Sequence, residues 1–338
     1  MVIVGASGNV GTAVLRRLRG EEDVDLVGVV RQVPPPDAPA PYDRVTWHSI
    51  DVAEASSVAA LSRAFAGADA VIHLAWLLQP NHDERRMAAT NIGGLEHVLA
   101  AVAAARVPQV VVASSVGAYS PGPKKRRVDE SWPTGGLHSS HYARHKAVNE
   151  RILDRFEVEH PAIVVTRMRP GLVMQGVVGD ELKSLFMGPF IPVRWLGRVP
   201  LPVVPIPVRT ISQVVHADDL ADAFARVVLR RAAGAFNIAT EPVIGPQDVA
   251  SVLGGRWLPV RIAPIRGLVW LLWHLRVLAA DPGWIDIATS VPLMSTDRAR
   301  EELGWVPRKD GVEAVAEAVR GVSDRTKAAG SPHLGGTR

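Results

Sequence analysis

The chain opens with Met1-Val2-Ile3-Val4-Gly5-Ala6-Ser7-Gly8-Asn9-Val10-Gly11, which runs directly into Thr12-Ala13-Val14-Leu15-Arg16-Arg17-Leu18-Arg19. The first four residues form an apolar run typical of a buried parallel strand. Val10, Val14 and Leu18 recur every four residues and predict one apolar helix face. Glycines let a pyrophosphate approach the backbone, and a helix start attracts an anion through its free N–H groups and positive dipole end. A glycine turn between strand and helix therefore predicts a dinucleotide-binding site rather than an ordinary turn.

The composition is that of a globular protein with enough apolar residues for a sizeable core. The chain has 338 residues, 47% of them apolar, which predicts two domains or one large domain. Because cysteine is absent, disulfides, thiolate catalysis and cysteine–zinc sites are excluded. The net charge of +4 comes mostly from scattered arginines, which indicates solubility rather than a nucleic-acid partner. No apolar run approaches the roughly 18 residues of a membrane span, and no signal peptide precedes the first strand. We therefore expect no membrane span and a cytoplasmic location.

Apolar runs alternate with helical patterns along the first half of the chain. Strands are predicted over residues 24–30, 45–50, 68–75, 109–114 and 162–168, and helices over residues 54–65 and 83–104 and from residue 139 onward. This alternation predicts an α/β fold with a Rossmann-type, doubly wound parallel sheet. Ligands of such sheets bind outside the carboxyl ends of the strands, where Gly5, Asp51, Ala75 and Ser114 lie.

The end of the second strand bears on the choice between NAD and NADP. An acidic residue there would hold the adenosine ribose of NAD, whereas an arginine suits the 2′-phosphate of NADP. This chain has Val29-Val30-Arg31 and no acid at that point. The sequence therefore favours NADP over NAD, with Arg31 as the phosphate partner. The alternative is that Arg31 is a solvated loop residue.

Tyr142 and Lys146 lie four residues apart in the helix that begins near Ser139, so they share a helix face. A free tyrosine has a pKa of about 10, so acid–base work near neutrality needs help of roughly 4 kcal/mol. A nearby ammonium favours the phenolate, and so does an oxidised nicotinamide. Ser115, after the fifth strand, supplies a hydroxyl that can polarise a substrate carbonyl.

Two polar clusters carry weaker hypotheses. His138, His141 and His145 flank Tyr142, and Glu150 is the one nearby acidic residue that could complete a metal site with them. A solvated or rim position is favoured instead, and no metal is predicted. Lys124-Lys125-Arg126-Arg127 is interpreted as a solvated loop rather than a phosphate contact.

The pattern changes after residue 170. We expect a dinucleotide-binding domain over residues 1–170, a substrate-binding region over residues 171–322 that interleaves with the sheet around residues 209–240, and a disordered tail over residues 323–338. A strand is predicted over residues 211–215 and an apolar helix over residues 266–280. Aromatic side chains of this region either line an apolar pocket, pack a core or form an oligomer interface: Phe186, Phe190, Trp195, Trp257, Trp270 and Trp273.

Landmarks of one enzyme family follow each other along the chain. They are Gly5 to Gly11, Asp51-Val52, His73-Leu74-Ala75, Asn91-Ile92-Gly93-Gly94, Ser114-Ser115 with Tyr119, Tyr142 with Lys146, Arg169-Pro170-Gly171, Val215-His216-Ala217-Asp218-Asp219-Leu220 and Leu303-Gly304-Trp305-Val306-Pro307. In this order and spacing the chain resembles an extended short-chain dehydrogenase/reductase of the NAD-dependent epimerase/dehydratase type, to about Gly321.

The resemblance implies a role for each catalytic position. Tyr142 would be the general acid/base, Lys146 would bind the nicotinamide ribose and lower the tyrosine pKa, and Ser115 would hydrogen-bond the reacting oxygen. Asn91 would support the lysine through water or backbone. Together with the glycine turn and Arg31, the implied cofactor site comprises Gly5, Ser7, Gly8, Asn9, Val10, Gly11, Arg31, Asp51, Val52, Leu74, Ala75, Ser114, Tyr142, Lys146, Pro170 and Gly171.

The chain also departs from family patterns. Val116-Gly117 stands where sugar-nucleotide 4,6-dehydratases carry an acidic pair, and Gly171 stands near the position of an asparagine that contacts the substrate diphosphate. Arg169-Pro170-Gly171 looks more like the reductase and hydroxysteroid-dehydrogenase branches. The sequence thus predicts an NAD(P)-dependent oxidoreductase acting on a small carbonyl or secondary alcohol. The alternatives are a nucleotide-sugar epimerase and a non-catalytic NADP-sensing protein. The resemblance also implies a possible homodimer through the helices near Asp83 and Ser139.

Overall fold

A seven-stranded parallel sheet forms the centre of the molecule. The computed structural model describes residues 1–79, 82–178, 202–324, 326, 328–332 and 334. In chain order the strands are β1 Val2–Val4, β2 Leu26–Val30, β3 Val45–Ser49, β4 Val71–His73, β5 Gln109–Ala113, β6 Arg127–Val128, β7 Val164–Pro170, β8 Leu172–Met174, β9 Val203–Pro207, β10 Val214–His216, β11 Gly234–Ile238, β12 Arg256–Val260 and β13 Leu293–Met294. The central sheet has the order β11-β7-β5-β4-β1-β2-β3. The predicted doubly wound sheet is confirmed.

Helices cover both faces of this sheet. They are α1 Asn9–Leu18, α2 Ser57–Phe65, α3 Glu84–Ala88, α4 Gly94–Ala104, α5 His141–Glu159, α6 Ala217–Arg230, α7 Pro246–Val252, α8 Ile262–His274, α9 Gly283–Ser290, α10 Asp297–Leu303 and α11 Gly311–Asp324. One apolar core lies where α1 and α6 pack on the sheet, and a second lies under α2, α4 and α5. The alternating apolar strands are therefore buried on both faces, as the sequence predicts for parallel strands.

The helix predicted over residues 83–104 is one continuous helix with an inserted wider turn. Ala89–Gly93 forms a π-helical turn between α3 and α4. Such turns occur mostly as single bulges inside α-helices, frequently at functional sites. Asn91 lies in this turn, so its side chain leaves the helix at an angle that a regular α-helix would not give.

The chain after β7 adds small sheets at the carboxyl end of the central one. The strand predicted over residues 211–215 is β10, and it pairs with β8 rather than with the central sheet. The helix predicted over residues 266–280 ends earlier, at His274. Two parallel pairs, β9 with β12 and β6 with β13, were not predicted, because their segments are short and two carry prolines. Within the described part of the chain, no helix is long and apolar enough to cross a membrane.

Residues of the predicted substrate-binding region, 171–322, and of the predicted tail, 323–338, contact residues of the predicted dinucleotide-binding domain, 1–170. β11 joins the central sheet beside β7, so the chain returns to the first half after residue 230. Among the described residues of the tail, Ser331 donates a hydrogen bond to the Ser7 carbonyl at 2.8 Å. The Leu334 side chain is buried. The division into residues 1–170, 171–322 and 323–338 stays a prediction.

Candidate active site

The turn between β1 and α1 requires glycine at two positions. Gly5 has a φ of +87°, and a Cβ built there would lie 2.7 Å from the Ala75 backbone nitrogen. A Cβ on Gly11 would lie 2.3 Å from the Gly5 carbonyl oxygen. The first position needs the left-handed region that favours glycine, and the second lets α1 pack directly against the turn. The need for glycine at Gly5 and Gly11 therefore follows from the conformation and close approach of the backbone.

The start of α1 suits an anion. Gly8 is the N-cap and has no side chain to satisfy the first N–H groups, and the first turn carries no acidic residue. The Ser7 hydroxyl oxygen is buried and has no hydrogen-bond partner among the described residues. Free N–H groups, a positive dipole end and an orphaned hydroxyl fit a pyrophosphate. The residues present therefore fit a dinucleotide.

A single cavity of about 1490 Å³ extends from this turn to α5. Its volume exceeds the roughly 300–1,000 Å³ of an ordinary small-molecule site, so a dinucleotide leaves room for a second molecule. Every residue predicted at the cofactor site lines it, namely Gly5, Ser7, Gly8, Asn9, Val10, Gly11, Arg31, Asp51, Val52, Leu74, Ala75, Ser114, Tyr142, Lys146, Pro170 and Gly171. Ser115 also lines it, and Asn91 does not.

The structure brings Ser115, Tyr142 and Lys146 together at one end of this cavity. The Ser115 hydroxyl accepts a hydrogen bond from the Gly117 backbone at 3.0 Å, which fixes its rotamer just after β5. The Lys146 ammonium donates to the Ala113 carbonyl at 2.7 Å and lies 5.8 Å from the centre of the Tyr142 ring. A strand end and a helix therefore position the predicted trio.

Burial shifts the pKa values of both Tyr142 and Lys146. Burial raises the pKa of Tyr142 to about 12, and a hydrogen bond with Ser115 acts in the opposite direction. Burial lowers the pKa of Lys146 to about 7, while the charge of Glu150 acts to raise it. Burial and the Ser115 hydrogen bond are the causes that act on the pKa of Tyr142 here, so a lowering of that pKa by Lys146 stays a prediction. The phenol is accordingly protonated at neutral pH.

Two tryptophans that sequence reasoning missed enclose Tyr142. The Trp76 ring lies edge-on to the Tyr142 ring with centroids 5.4 Å apart, and the Trp284 ring lies 5.1 Å away. The Lys146 ammonium sits 3.5 Å from the Trp76 ring centre. The Trp76 indole N–H is buried without a hydrogen-bond partner in the described part of the chain, so it is a donor that a ligand can use. The sequence offered one indication of the position of Trp76, because this residue directly follows His73-Leu74-Ala75.

Asn91 holds the segment that carries Trp76. Its amide accepts from the Leu77 N–H at 2.7 Å and donates to the Leu77 carbonyl at 2.9 Å. Its own carbonyl accepts from the Asn149 side chain at 2.8 Å. Among the described residues Asn91 makes no contact with Lys146. Its support of the lysine stays a prediction, while its observed contacts fix the wall of the cavity.

A buried ionic network lies next to the end of the cavity that holds Ser115, Tyr142 and Lys146. Glu150 accepts hydrogen bonds from Arg169 at 2.9 and 2.8 Å and one from the Ser114 hydroxyl. Arg169 also donates to the Tyr119 hydroxyl at 3.0 Å. Burial alone would raise the pKa of Glu150, but the Arg169 guanidinium and Ser114 hold it below its usual range. The sequence indicates Glu150 only as a possible metal ligand and does not predict its place in this network, although it lies one helical turn after Lys146.

The remaining candidate residues lie apart from this end. Arg31 lines the cavity at the end of β2, where its side chain is exposed. The Asp51 carboxylate accepts from the Ala53 N–H at 3.0 Å. His141 pairs with Glu84 at 2.9 Å.

Lys124 corrects the interpretation of its segment as a solvated loop. Its ammonium donates to the Ile211 and Ala288 carbonyls at 2.6 and 3.1 Å, and burial lowers its pKa to about 8.

Of the three interpretations of the aromatic side chains, the pocket does not apply to the tryptophans that the structure describes. Trp257, Trp270 and Trp273 do not line the cavity. Phe186, Phe190 and Trp195 lie outside the described residues. The apolar wall comes instead from Trp76 and Trp284, whose rings pack against Tyr142. Both lie far from Tyr142 in the sequence, and no sequence pattern singled them out.

Comparisons with known proteins agree with this architecture. The structure is similar to MoeE5 in complex with UDP-glucose and NAD, at 18% identity and a TM-score of 0.65 over 96% of this chain and 98% of that one. It is similar to the UDP-glucose 4-epimerase of Thermus thermophilus in complex with NAD, at 18% identity and a TM-score of 0.66 over 95% of this chain and 98% of that one. It is also similar to DesIV, a dTDP-glucose 4,6-dehydratase of Streptomyces venezuelae, with NAD and TYD bound, at 17% identity and 0.68 over 96% of each chain. At such identities the likeness shows the fold alone.

Sequence comparison supplies the family. No curated protein matches the chain. The NAD dependent epimerase/dehydratase family matches residues 1–239, which include the glycine turn, Ser115, Tyr142 and Lys146, and the last strand of the central sheet. The fold, the cavity and this match lead to one conclusion: the chain belongs to the NAD-dependent epimerase/dehydratase family of extended short-chain dehydrogenases/reductases, which are enzymes.

Proposed function

We propose that this enzyme catalyses net hydride transfer between NADP or NAD and a carbonyl or secondary alcohol on an apolar substrate. The observation that carries the proposal is the setting of Tyr142, whose phenol meets Ser115 and lies between the rings of Trp76 and Trp284. A proton donor in an apolar, water-excluding wall suits a carbonyl with apolar substituents.

In the direction of reduction, the chain's own groups handle the proton and the oxygen. The Ser115 hydroxyl hydrogen-bonds the substrate oxygen, and the Tyr142 phenol gives that oxygen its proton. Reduced nicotinamide, when bound, would supply the hydride for the carbonyl carbon. Because burial keeps the pKa of Tyr142 near 12, the phenol holds its proton until the substrate oxygen becomes basic. Lys146 binds the nicotinamide ribose beside it.

The walls around Tyr142 favour an apolar substrate over a sugar diphosphate. Beside the two indoles, the cavity is lined here by Leu77, Ile287 and Val291. Four cationic side chains line the cavity within the described ranges, namely Arg31, Lys124, Lys146 and Arg276. Lys124 already donates to two carbonyls, and Arg31 lies at the β2 end, away from the substrate. The described walls thus provide few groups for a diphosphate.

A nucleotide-sugar epimerase is the second candidate, and the structural neighbours favour it. MoeE5 is named as a complex with UDP-glucose, and the Thermus protein is named as a UDP-glucose 4-epimerase. Such a reaction uses transient oxidation with no net redox change, and the same tyrosine would serve it. The two candidates differ in whether reduced cofactor is consumed.

We further propose a preference for NADP, with Arg31 as the partner of the 2′-phosphate. Its exposed guanidinium lines the cavity and has no ion pair or hydrogen bond among the described residues. Arg31→Gln should raise the KM for NADPH about tenfold and change that for NADH less than about twofold, because one charge-assisted contact is worth roughly 1.5–3 kcal/mol. Equal effects on both cofactors would contradict the preference.

The experiment has two arms on the same purified protein. The first follows NADPH and NADH oxidation with a panel of aliphatic, aromatic and polycyclic ketones, and the reverse reaction with the matching alcohols. The second titrates the NADP-loaded protein with UDP, dTDP and GDP in a thermal-shift assay. A true nucleotide moiety at 100 times its Kd adds about 2.7 kcal/mol and raises Tm by several degrees.

The proposal expects cofactor oxidation with apolar ketones and no nucleotide shift. A clear shift with one nucleotide and no ketone turnover supports the epimerase instead. Cofactor binding with neither response favours a non-catalytic NADP-sensing protein. We also propose a homodimer through α3, α4 and α5, as the family resemblance implies, and light scattering after gel filtration measures it directly.

A further inference from the structure

Helix α8 exposes an apolar stripe to solvent. Leu268, Leu271 and Leu275, the last just past the helix, lie at i, i+3 and i+7 and are 54%, 47% and 62% exposed. Trp270 lies about 100° or more around the helix from each of them, at the other edge of the same exposed side, and is 50% exposed. We call these four side chains the α8 stripe. The opposite face is also apolar and is half-buried against the protein, namely Ile262, Ile265, Val269, Leu272 and Trp273. Contiguous exposed apolar patches usually mark a binding surface.

The segment around the stripe is positively charged. No acidic residue occurs between Asp248 and Asp281, whereas four arginines do. Arg266 pairs with Asp286 at 2.9 Å. The other three, Arg256, Arg261 and Arg276, are exposed and have no acidic partner in the described ranges. Exposed leucine and tryptophan with unpaired arginines on either side combine apolar contact with positive charge, the two interactions that bind a helix to an anionic lipid surface.

We propose that α8 docks on an anionic lipid surface. The α8 stripe would enter the boundary between headgroups and acyl chains, and the unpaired arginines would meet headgroup phosphates. With 13 residues the helix is about 20 Å long, shorter than the roughly 30 Å hydrocarbon core, so it lies on the surface rather than crossing it.

A second copy of the chain is a poorer occupant of this face. A two-fold interface is self-complementary, so it would place the same surface against itself. The unpaired Arg261 and Arg276 of each copy would then approach those of the other, with no acidic residue between 249 and 280 to compensate them. Like charges across an interface are repulsive. An anionic lipid surface supplies the missing charge.

The cavity lies directly beyond this helix. Arg276, Val277, Leu278 and Ala279 line it, and His82, another lining residue, stacks on Trp273 with ring centroids 4.5 Å apart. An apolar substrate dissolved in the lipid would therefore meet the enzyme next to its site. This last step rests on the proposed function, whereas the lipid contact itself does not.

Vesicle co-sedimentation of the full chain tests the contact. The probes are phosphatidylcholine vesicles and vesicles of phosphatidylcholine with phosphatidylglycerol. The double variant L268Q/L271Q removes half of the α8 stripe, and V158Q/L229Q is its matched control, because Val158 and Leu229 are 82% and 50% exposed on α5 and α6. A third variant, R261Q/R276Q, removes two charges. Thermal unfolding of each variant reports whether it folds.

Wild type and V158Q/L229Q should bind the anionic vesicles more tightly than the neutral ones. L268Q/L271Q should lower the partition coefficient about tenfold or more, because two leucines lose burial in the lipid. R261Q/R276Q should lower it about tenfold on anionic vesicles alone. Absence of vesicle binding by wild type overturns the proposal, as does equal loss in V158Q/L229Q. If L268Q/L271Q instead converts a dimer to a monomer in light scattering without affecting vesicles, a second copy is the occupant.

Discussion

Replacing Glu150 by alanine removes the carboxylate on which the buried network depends. Glu150 is 2% exposed and receives both Arg169 nitrogens, at 2.9 and 2.8 Å, and Arg167 lies 3.3 Å away. Arg167 keeps Asp154 as a partner, whereas Arg169 loses its acidic partner while staying buried. Removing one side of a buried ion pair costs about 3–5 kcal/mol. At about 2 °C per kcal/mol for a large domain, Tm should fall by about 6–10 °C.

Differential scanning fluorimetry at neutral pH, with a urea titration to obtain the free energy of unfolding, measures this effect. Glu157→Ala is the matched control, because Glu157 also lies on α5 and pairs with an arginine but is 36% exposed. It should cost less than about 1 kcal/mol. A Glu150→Ala protein that unfolds within about 2 °C of wild type would refute the reasoning that an uncompensated buried guanidinium dominates here.

Two further changes test the glycine turn and the acid stability. Gly11→Ala places a Cβ 2.3 Å from the Gly5 carbonyl oxygen, so it should lower the free energy of unfolding by about 1–3 kcal/mol. It should also weaken NADPH binding in a fluorescence titration. Gly20→Ala is the control and should do neither, because the nearest atom to its Cβ lies 3.6 Å away. Burial alone would raise the pKa of Glu317, but its hydrogen bond with Lys309 lowers it to about 2. Since this folded-state pKa is below that of the unfolded chain, the stabilisation is present above about pH 4.3 and lost as the pH falls toward 2. Glu317→Gln should therefore lose less stability than wild type between pH 6 and pH 3 in urea titrations, and an unchanged loss would contradict this.

The first half of the fold was predictable because its information is local. Strand, glycine turn and helix follow each other within residues 1–19, and each pattern has a fixed period. The same holds for Tyr142 and Lys146, whose four-residue spacing puts them on one helix face. Parallel strands then bring Ser115 to the same edge of the sheet. Local patterns and the geometry of a parallel sheet are therefore enough to predict these positions.

The rest of the site depends on contacts between distant segments. Trp76 and Trp284 meet Tyr142 from two different segments, and no periodicity relates them. The raised pKa of Tyr142 follows from its burial, which residue spacing alone does not reveal. The apolar helix α8 was predicted close to its observed position. Its exposure to solvent could not be predicted, because an apolar pattern shows which residues avoid water and not what covers them.

Turnover by Tyr142→Phe tests the proposed chemistry most directly. With the best ketone of the panel and saturating NADPH, the variant should lose about 10²–10⁴-fold in kcat, while its affinity for NADPH changes less than about twofold. Tyr119→Phe is the matched control, because its hydroxyl bonds Asn237 and Arg169 in the buried network rather than lining the cavity. It should retain kcat within about tenfold of wild type. A Tyr142→Phe enzyme with wild-type turnover would contradict the assignment of proton transfer to this phenol.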